Sequence, residues 1–470
     1  MRMPKSFLCV LLHAHLPYVR HPEIEDSLEE RWLFEALTET YLPLLRMLEE
    51  RARRNAPGRI TISLSPTLLA MFEDPLLRRR YSFRLGRLVE LAEREVARTR
   101  HDARFQPLAI HYRERFRESL AQFEDRYRRD VVSAFRALFE SGQVRLITCG
   151  ATHGYLPLMS LGAPSWRAQI GTAVRDTECG PVALGRDAES SRQVWSASEG
   201  YPGDSSYREY YRDQGFDLPI DEVREFLPSG GTRTHLGLKY YRITDRRTPH
   251  REPYEPARAS ARAREHAAHF LRERSAQAKA ASDRLGQPAL LLAPYDAELM
   301  GHWWYEGPEW LGHVLDEAAR DPGIEAVDPI EAMDRIPRAC EGRLHPSSWG
   351  EGGYSAVWLD SSNDWIYRHL NRAAERMQHL AQGRERYDAL QARALAQAGR
   401  ELLLAQASDW AFIMRTGTLV PYAVRRTELH LQRFGKLEEG VRSGRVDAVE
   451  LAEFEELDPI FPALDAGLFA

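Results

Sequence analysis

Short, unbroken apolar runs, separated by helical sequence and closing on polar, reactive groups, constrain this chain most. FLCVLLHAH (7–15), VRLITCG (144–150) and ALLLAPYDAE (289–298) are of this kind, and RITISLS (59–65) is a further strand. A strand half exposed to water alternates apolar with polar residues, whereas a strand covered on both faces does not. These runs therefore predict a parallel sheet with helices on both sides. Helical spacing fills the intervals, with one long amphipathic helix expected over Ser27–Arg54 and further helices over 108–141. An α/β barrel is the leading architecture, and a doubly wound open sheet is the second. Three runs end in His13-Ala14-His15, in Cys149 to His153, and in Asp296-Ala297-Glu298. One polar strand end is as readily a structural group as a functional one. Three together point to a site, because uncompensated polar groups there would cost stability.

Several function classes drop out. Lys+Arg is 64 against 69 Asp+Glu, a net charge of −5, which excludes a globally basic nucleic-acid binder. Four cysteines, Cys9, Cys149, Cys179 and Cys340, form no C-x-x-C, which excludes a disulfide scaffold and a thiolate zinc site. The run Phe7–Leu12 is too short for a spanning helix, and no later apolar run approaches ~20 residues. A cytoplasmic chain with no membrane or nucleic-acid partner is expected. The sequence has no Gly-x-Ser-x-Gly, no P-loop and no Gly-x-Gly-x-x-Gly.

Residues 185–249 break the pattern, being rich in Gly, Pro, Asp, Arg and Tyr. Such composition reads as loop, yet Trp195, Tyr201, Tyr207, Tyr210 and Tyr211 are more aromatics than a disordered segment carries. Beyond 356 the spacing is helical to the end. The expected division is a (β/α) unit over 1–184 and 250–355, an inserted lid over 185–249, and a helical region over 356–470.

The densest chemistry lies in PYDAELMGHWWYEGPEW (294–310), where Asp296 is followed by His302, Trp303 and Trp304. Aromatic faces stack on the C–H faces of sugars, and a buried carboxyl has the raised proton affinity of a general acid. Two adjacent tryptophans cannot easily both enter one core, so at least one is expected to face a cleft. Trp349 lies in the Gly-rich SSWGEGGY, and Asp409 opens DWAFIMRTGT, where it is equally a helix-start residue. From residue types alone, His13, His15, His153, Asp296 and His302 also suit a metal-dependent hydrolase.

HAHLPYVRHPE (13–23), GQVRLITCGATHGYLPLM (142–159), the long stretch 185–218, LGLKYYRI (236–243), APYDAELMGHWWYEG (293–307) and SSWGEGGY (347–354) occur in this order. Together they resemble glycoside hydrolase family 57, and within it the 1,4-α-glucan branching enzymes. The resemblance implies an incomplete (β/α)7 barrel, an inserted lid and a C-terminal helical domain, with no cofactor and no metal. It implies a retaining mechanism on an α-1,4-glucan, in which a Glu attacks the anomeric carbon and an Asp protonates the leaving oxygen. Two such carboxyls sit roughly 5–5.5 Å apart. The covalent intermediate then passes to the 6-hydroxyl of another glucan. Asp296 matches the family's acid/base Asp. His13 and His153 match its site-lining histidines, and Trp349 and Asp409 match glucan-contacting positions. His15, Arg212, His302, Trp303 and Trp304 complete the expected substrate-binding set, with Thr418 standing where relatives tend to carry Gln.

The departure lies between Pro157 and Gly185, where relatives carry a longer segment holding the nucleophile strand. Here the only Glu in the interval is Glu178, in DTECG. Glu178 is then either the remnant of the nucleophile motif or part of a helix in a chain that has lost that strand. The second reading makes the protein a catalytically impaired glucan-binding homologue.

Overall fold

A computed structural model describes residues 5–159, 184–196, 199–228, 230–244, 250–337 and 351–470. Its centre is a parallel sheet of β1 (Ser6–Ala14), β2 (Ile60–Leu64), β3 (Val144–Ile147), β4 (Leu290–Asp296) and β5 (Ile324–Ala326). The path is β3-β2-β1-β4, and β5 pairs with the first residues of β1, opposite Ser6–Leu8. Leu8, Cys9 and Leu12 have no exposed surface, as a doubly covered strand requires. Each such leucine contributes about 1.5–3 kcal/mol of burial. Among the described residues five parallel strands pair and do not close on themselves, an α/β arrangement with a helical C-terminal region of the kind the resemblance implies. The run 144–150 yields only four strand residues, because the chain turns at Cys149–Thr152, where His153 N–H donates to Gly150 O.

The long helix expected over Ser27–Arg54 is three pieces: α1 (Glu30–Ala36), a π-helical turn (Leu37–Tyr41) and α2 (Leu42–Arg53). The described parts of 185–249 pack into the main core through Tyr207, Leu238 and Tyr240, each 1% exposed or less. Residues 199–228 and 230–244 form a strap against the flanking helices and the loop after β4, through contacts such as Tyr240–Glu95, Arg208–Glu39 and Tyr210–His302. At the N-terminal ends of the strands Arg59 and Arg145 hold the fully buried Asp328 at 2.8 and 3.3 Å. Asp328 also caps the helix Pro329–Arg335 by accepting from two of its N–H groups. That end is thereby tied together by structural ion pairs.

The C-terminal region is helical, with α3 (Ala389–Ala405), α4 (Ser408–Thr416) and α5 (Val420–Ser443) at its centre. Among the described residues no helix is long and apolar enough to cross a membrane.

Candidate active site

In parallel strands, residues in register face the same side of the sheet. His13 pairs in register with Ser63 on β2 and with Asp296 on β4. Just past the strand ends come His15, Ser65 and Glu298, the last in the turn Ala297–Leu299. The C-terminal ends of three strands thus carry two rows of polar side chains. His15 Nδ1 lies 3.0 Å from Ser65 Oγ, and His13 Nδ1 lies 3.4 Å from Ser63 Oγ.

The third histidine arrives from the turn after β3. His153 adopts φ +58°, a left-handed conformation that bulky residues rarely take and that clusters at functional sites. Its backbone is held from outside: His153 O accepts from Ser408 N–H, and Gly154 bridges Ala407. His153 Nδ1 lies 2.8 Å from Ser408 Oγ, and its Nε2 lies 2.9 Å from His13 Nε2. The rings of His15 and His153 stack with centroids 4.1 Å apart. Asp409, in the first turn of α4, accepts from His15 Nε2 at 3.0 Å through both oxygens. Asp409 is thus both a first-turn carboxylate, which suits a helix N-terminus, and the partner of His15.

Charge is distributed unequally over this cluster. Burial and the neighbouring His15 charge lower His13 to about 4, and burial lowers His153 to about 3. Burial also opposes charge on His15, but the Asp409 carboxylate beside it raises its pKa. The arrangement is one His15–Asp409 ion pair flanked by two neutral imidazoles. Burial pushes Asp296 up to about 6, against the pull of His15, and pushes Glu298 up to about 7. Glu298 Oε1 accepts from the Tyr41 hydroxyl and from His15 N–H. Asp296 and Glu298 thus form a coupled acidic pair at one strand end, poised to hold a proton near neutrality.

The structure brings together His13, His15, His153, Asp296 and Asp409 and separates the others. Trp304 is 2% exposed and packs between Tyr207 and Trp310, so it is a core residue, not a glucan contact. Trp303 is 52% exposed and stacks on Tyr210, which fits the expectation that one of the two tryptophans faces outward. His302 leaves the histidine cluster: its ring nitrogens meet Glu39 at 2.9 Å and Tyr210 at 3.0 Å. Arg212 pairs with Asp217 at 2.8 Å on the strap. Thr418 is exposed just past the glycine that ends α4. Glu178 and Trp349 lie outside the described residues. Sequence reasoning missed Ser63, Ser65, Ser408, Tyr41 and Glu39. Ser63 near the end of β2 and Ser65 just past it were visible as polar residues closing the run 59–65, and the others come from distant elements.

Donor atoms of His15, His153 and Asp409 lie within 4.8 Å of one another, the spacing a metal ion would need. In this arrangement His15 Nε2 carries the proton it donates to Asp409, and His153 Nε2 is paired with His13 Nε2, so neither nitrogen presents a free lone pair. His302, one of the candidate ligands of the metal-hydrolase alternative, has both ring nitrogens engaged elsewhere.

The whole chain superposes on the alpha-amylase AmyC from Thermotoga maritima with a TM-score of 0.91 at 36% identity, covering 99% of each chain. Residues 9–199 match the family described as glycosyl hydrolase family 57. The chain belongs to glycoside hydrolase family 57. Residues 369–469 match the C-terminal domain described for 1,4-alpha-glucan branching enzyme. The family 57 branching enzyme from Pyrococcus horikoshii superposes with a TM-score of 0.85 at 28% identity, covering 99% of this chain and 97% of that one. The 1,4-alpha-glucan branching enzyme of Thermococcus kodakarensis is 27% identical over 558 residues, covering 98% of this chain and 78% of the relative. That alignment is longer than the 470 residues of this family 57 chain, so the relative carries segments that this one lacks.

Proposed function

We propose that this family 57 protein is a 1,4-α-glucan branching enzyme, cleaving an α-1,4 linkage and transferring the glycosyl unit to a 6-hydroxyl of an α-glucan. The observation that carries this is the match of 369–469 to the branching-enzyme C-terminal domain, because that region supplies Ser408 and Asp409 to the histidine cluster. Asp296 is assigned as acid/base: partial burial holds its proton at a pH where an ordinary aspartate has lost it. The neutral His13 and His153 imidazoles can exchange their mutual Nε2–Nε2 hydrogen bond for bonds to sugar hydroxyls. Glu178 is assigned as nucleophile by its place in the shortened interval, and Trp349 and Trp303 as glucan contacts. The division into 1–184 with 250–355, 185–249 and 356–470 belongs to the same proposal. So does a cytoplasmic setting, which the free Cys9 and Cys149 thiols suit.

Purified protein incubated with amylose should yield α-1,6 branches, read by enzymatic debranching, and Glu178→Gln should abolish them. Glucan binding without branches, lost in Trp349→Ala, would instead identify the impaired homologue. Hydrolysis is a second reading, favoured by the AmyC superposition. New reducing ends without branches would establish it.

A protonated Asp296 donates to the leaving oxygen, so kcat/KM should fall as pH rises above about 6. The His15 charge lowers the Asp296 pKa, so His15→Gln should move that alkaline limb to higher pH. A limb that stays in place would remove Asp296 as its origin.

A further inference from the structure

The π-turn Leu37–Tyr41 makes more contacts to the loop after Asp296 than a covering helix needs. Three consecutive residues reach it. Tyr41 donates to Glu298, Thr40 Oγ1 accepts from His302 N–H at 3.2 Å, and Glu39 Oε2 lies 2.9 Å from His302 Nδ1. The approach is as close as backbone permits. Gly301 has φ +118°, and a Cβ there would lie 1.8 Å from Glu39 O. Wide π-turns of this kind recur at functional sites.

Glu39 also faces the strap. Its Oε1 accepts from Arg208 Nη1 at 2.8 Å, in an ion pair whose side chains are 10% and 2% exposed. Arg208 lies over the Tyr305 ring at 4.1 Å. Beyond His302 the chain of contacts continues to the surface. His302 Nδ1–H donates to Glu39, which leaves Nε2 to accept from the Tyr210 hydroxyl at 3.0 Å. Lys239 Nζ donates to Tyr210 O at 2.6 Å and fixes the strap at the same residue. The Tyr210 ring stacks on the outward-facing Trp303 with centroids 4.4 Å apart and planes 29° apart.

We propose that Glu39 is a positioning residue that ties the strap to the loop after Asp296, and that the Trp303–Tyr210 stack it fixes is a glucan-binding face. This rests on the glucan-active reading above. A half-exposed tryptophan backed by a second ring presents the flat, partly dry surface on which a glucose unit stacks. A loop free to shift would present that surface at no fixed distance from the acid. The Glu39 carboxylate holds both sides of the gap because it is the shared acceptor for Arg208 and His302.

The test is a double-mutant cycle on amylose, with Glu39→Gln as the shape-conserving variant and Trp303→Ala as the surface variant. Each single change should raise KM about tenfold, as loss of a charge-assisted hydrogen bond or a stacking face does, and leave kcat within about twofold. The double variant should be no worse than Trp303→Ala alone. Additive effects, or a loss in kcat at unchanged KM, would overturn the proposal. Hydrogen exchange gives a readout independent of turnover. Glu39→Gln should speed exchange in 199–217 and at the His302 amide. Faster exchange with unchanged KM removes the glucan-binding face, and unchanged exchange removes the tie. Should the wild-type chain neither bind nor convert amylose, the functional reading falls, and exchange alone decides the tie.

Discussion

Asp296→Asn is expected to lower kcat on amylose by ~10²–10⁴-fold while leaving glucan binding intact, the loss typical of removing a general acid. The reason lies in its position. Asp296 ends β4 in register with His13, so the sheet itself fixes the carboxyl beside the histidine cluster. Burial raises its pKa to about 6, and asparagine keeps its size while removing the transferable proton. A glycoside with an activated aryl leaving group needs little protonation, so the variant should lose far less on that substrate. Equal losses on amylose and on the aryl glycoside would point to misplacement of the sugar, and Asp296 would no longer be the acid. Thermal stability of Asp296→Asn should match or exceed wild type above pH 6, where wild type carries an ionised, partly buried carboxylate. The sign follows from linkage. A carboxyl whose pKa is raised on folding favours the native state below its unfolded pKa, and that contribution is lost as pH rises through the folded value.

Asp458→Ala is expected to destabilise the C-terminal region by about 3–5 kcal/mol, the range for breaking a buried ion pair from one side. Asp458 is 1% exposed and accepts from Arg433, with Arg426 at 3.6 Å and His430 at 3.9 Å. His430 in turn meets the fully buried Glu401 at 2.6 Å. This network joins α3 to α5, and removing Asp458 leaves two guanidinium groups without their carboxylate. The consequence should reach the active site. The same packed helices hold α4, whose Ser408 and Asp409 orient His153 and His15. Activity should therefore decline at a lower temperature than the main unfolding transition followed by circular dichroism. Coincident midpoints would show that α4 is held by the sheet alone. A double change of Asp458 and Arg433 to apolar residues of similar volume should recover much of the loss, because the desolvation penalty disappears with the charges.

The sequence carried the parts of this molecule that local chemistry dictates. A short apolar run with no alternation, bounded by helical sequence, reads as a strand covered on both faces, and that placed β1 and β4. It also put His13, Asp296 and Glu298 at the same end of the sheet. The aromatic pair was half legible. Adjacent tryptophans signalled that one faces outward, but only packing against Tyr207 and Trp310 showed that Trp304 is the inner one. The interrupted helix had a local signal that the periodicity overrode: Pro43, just past Leu37–Tyr41, lacks the N–H that a continuous helix would send back to Glu39.

By itself the sequence determined a parallel α/β core, a polar strand-end cluster and a helical C-terminal region, since each is written in periodicities a few residues long. Tertiary structure alone decided that Asp409 charges His15 across 394 positions of chain, that Ser408 holds the strained His153, and that Glu39 joins the strap to the loop beyond Asp296. Those pairings depend on where whole elements come to rest against one another, and neighbouring residues carry no trace of that.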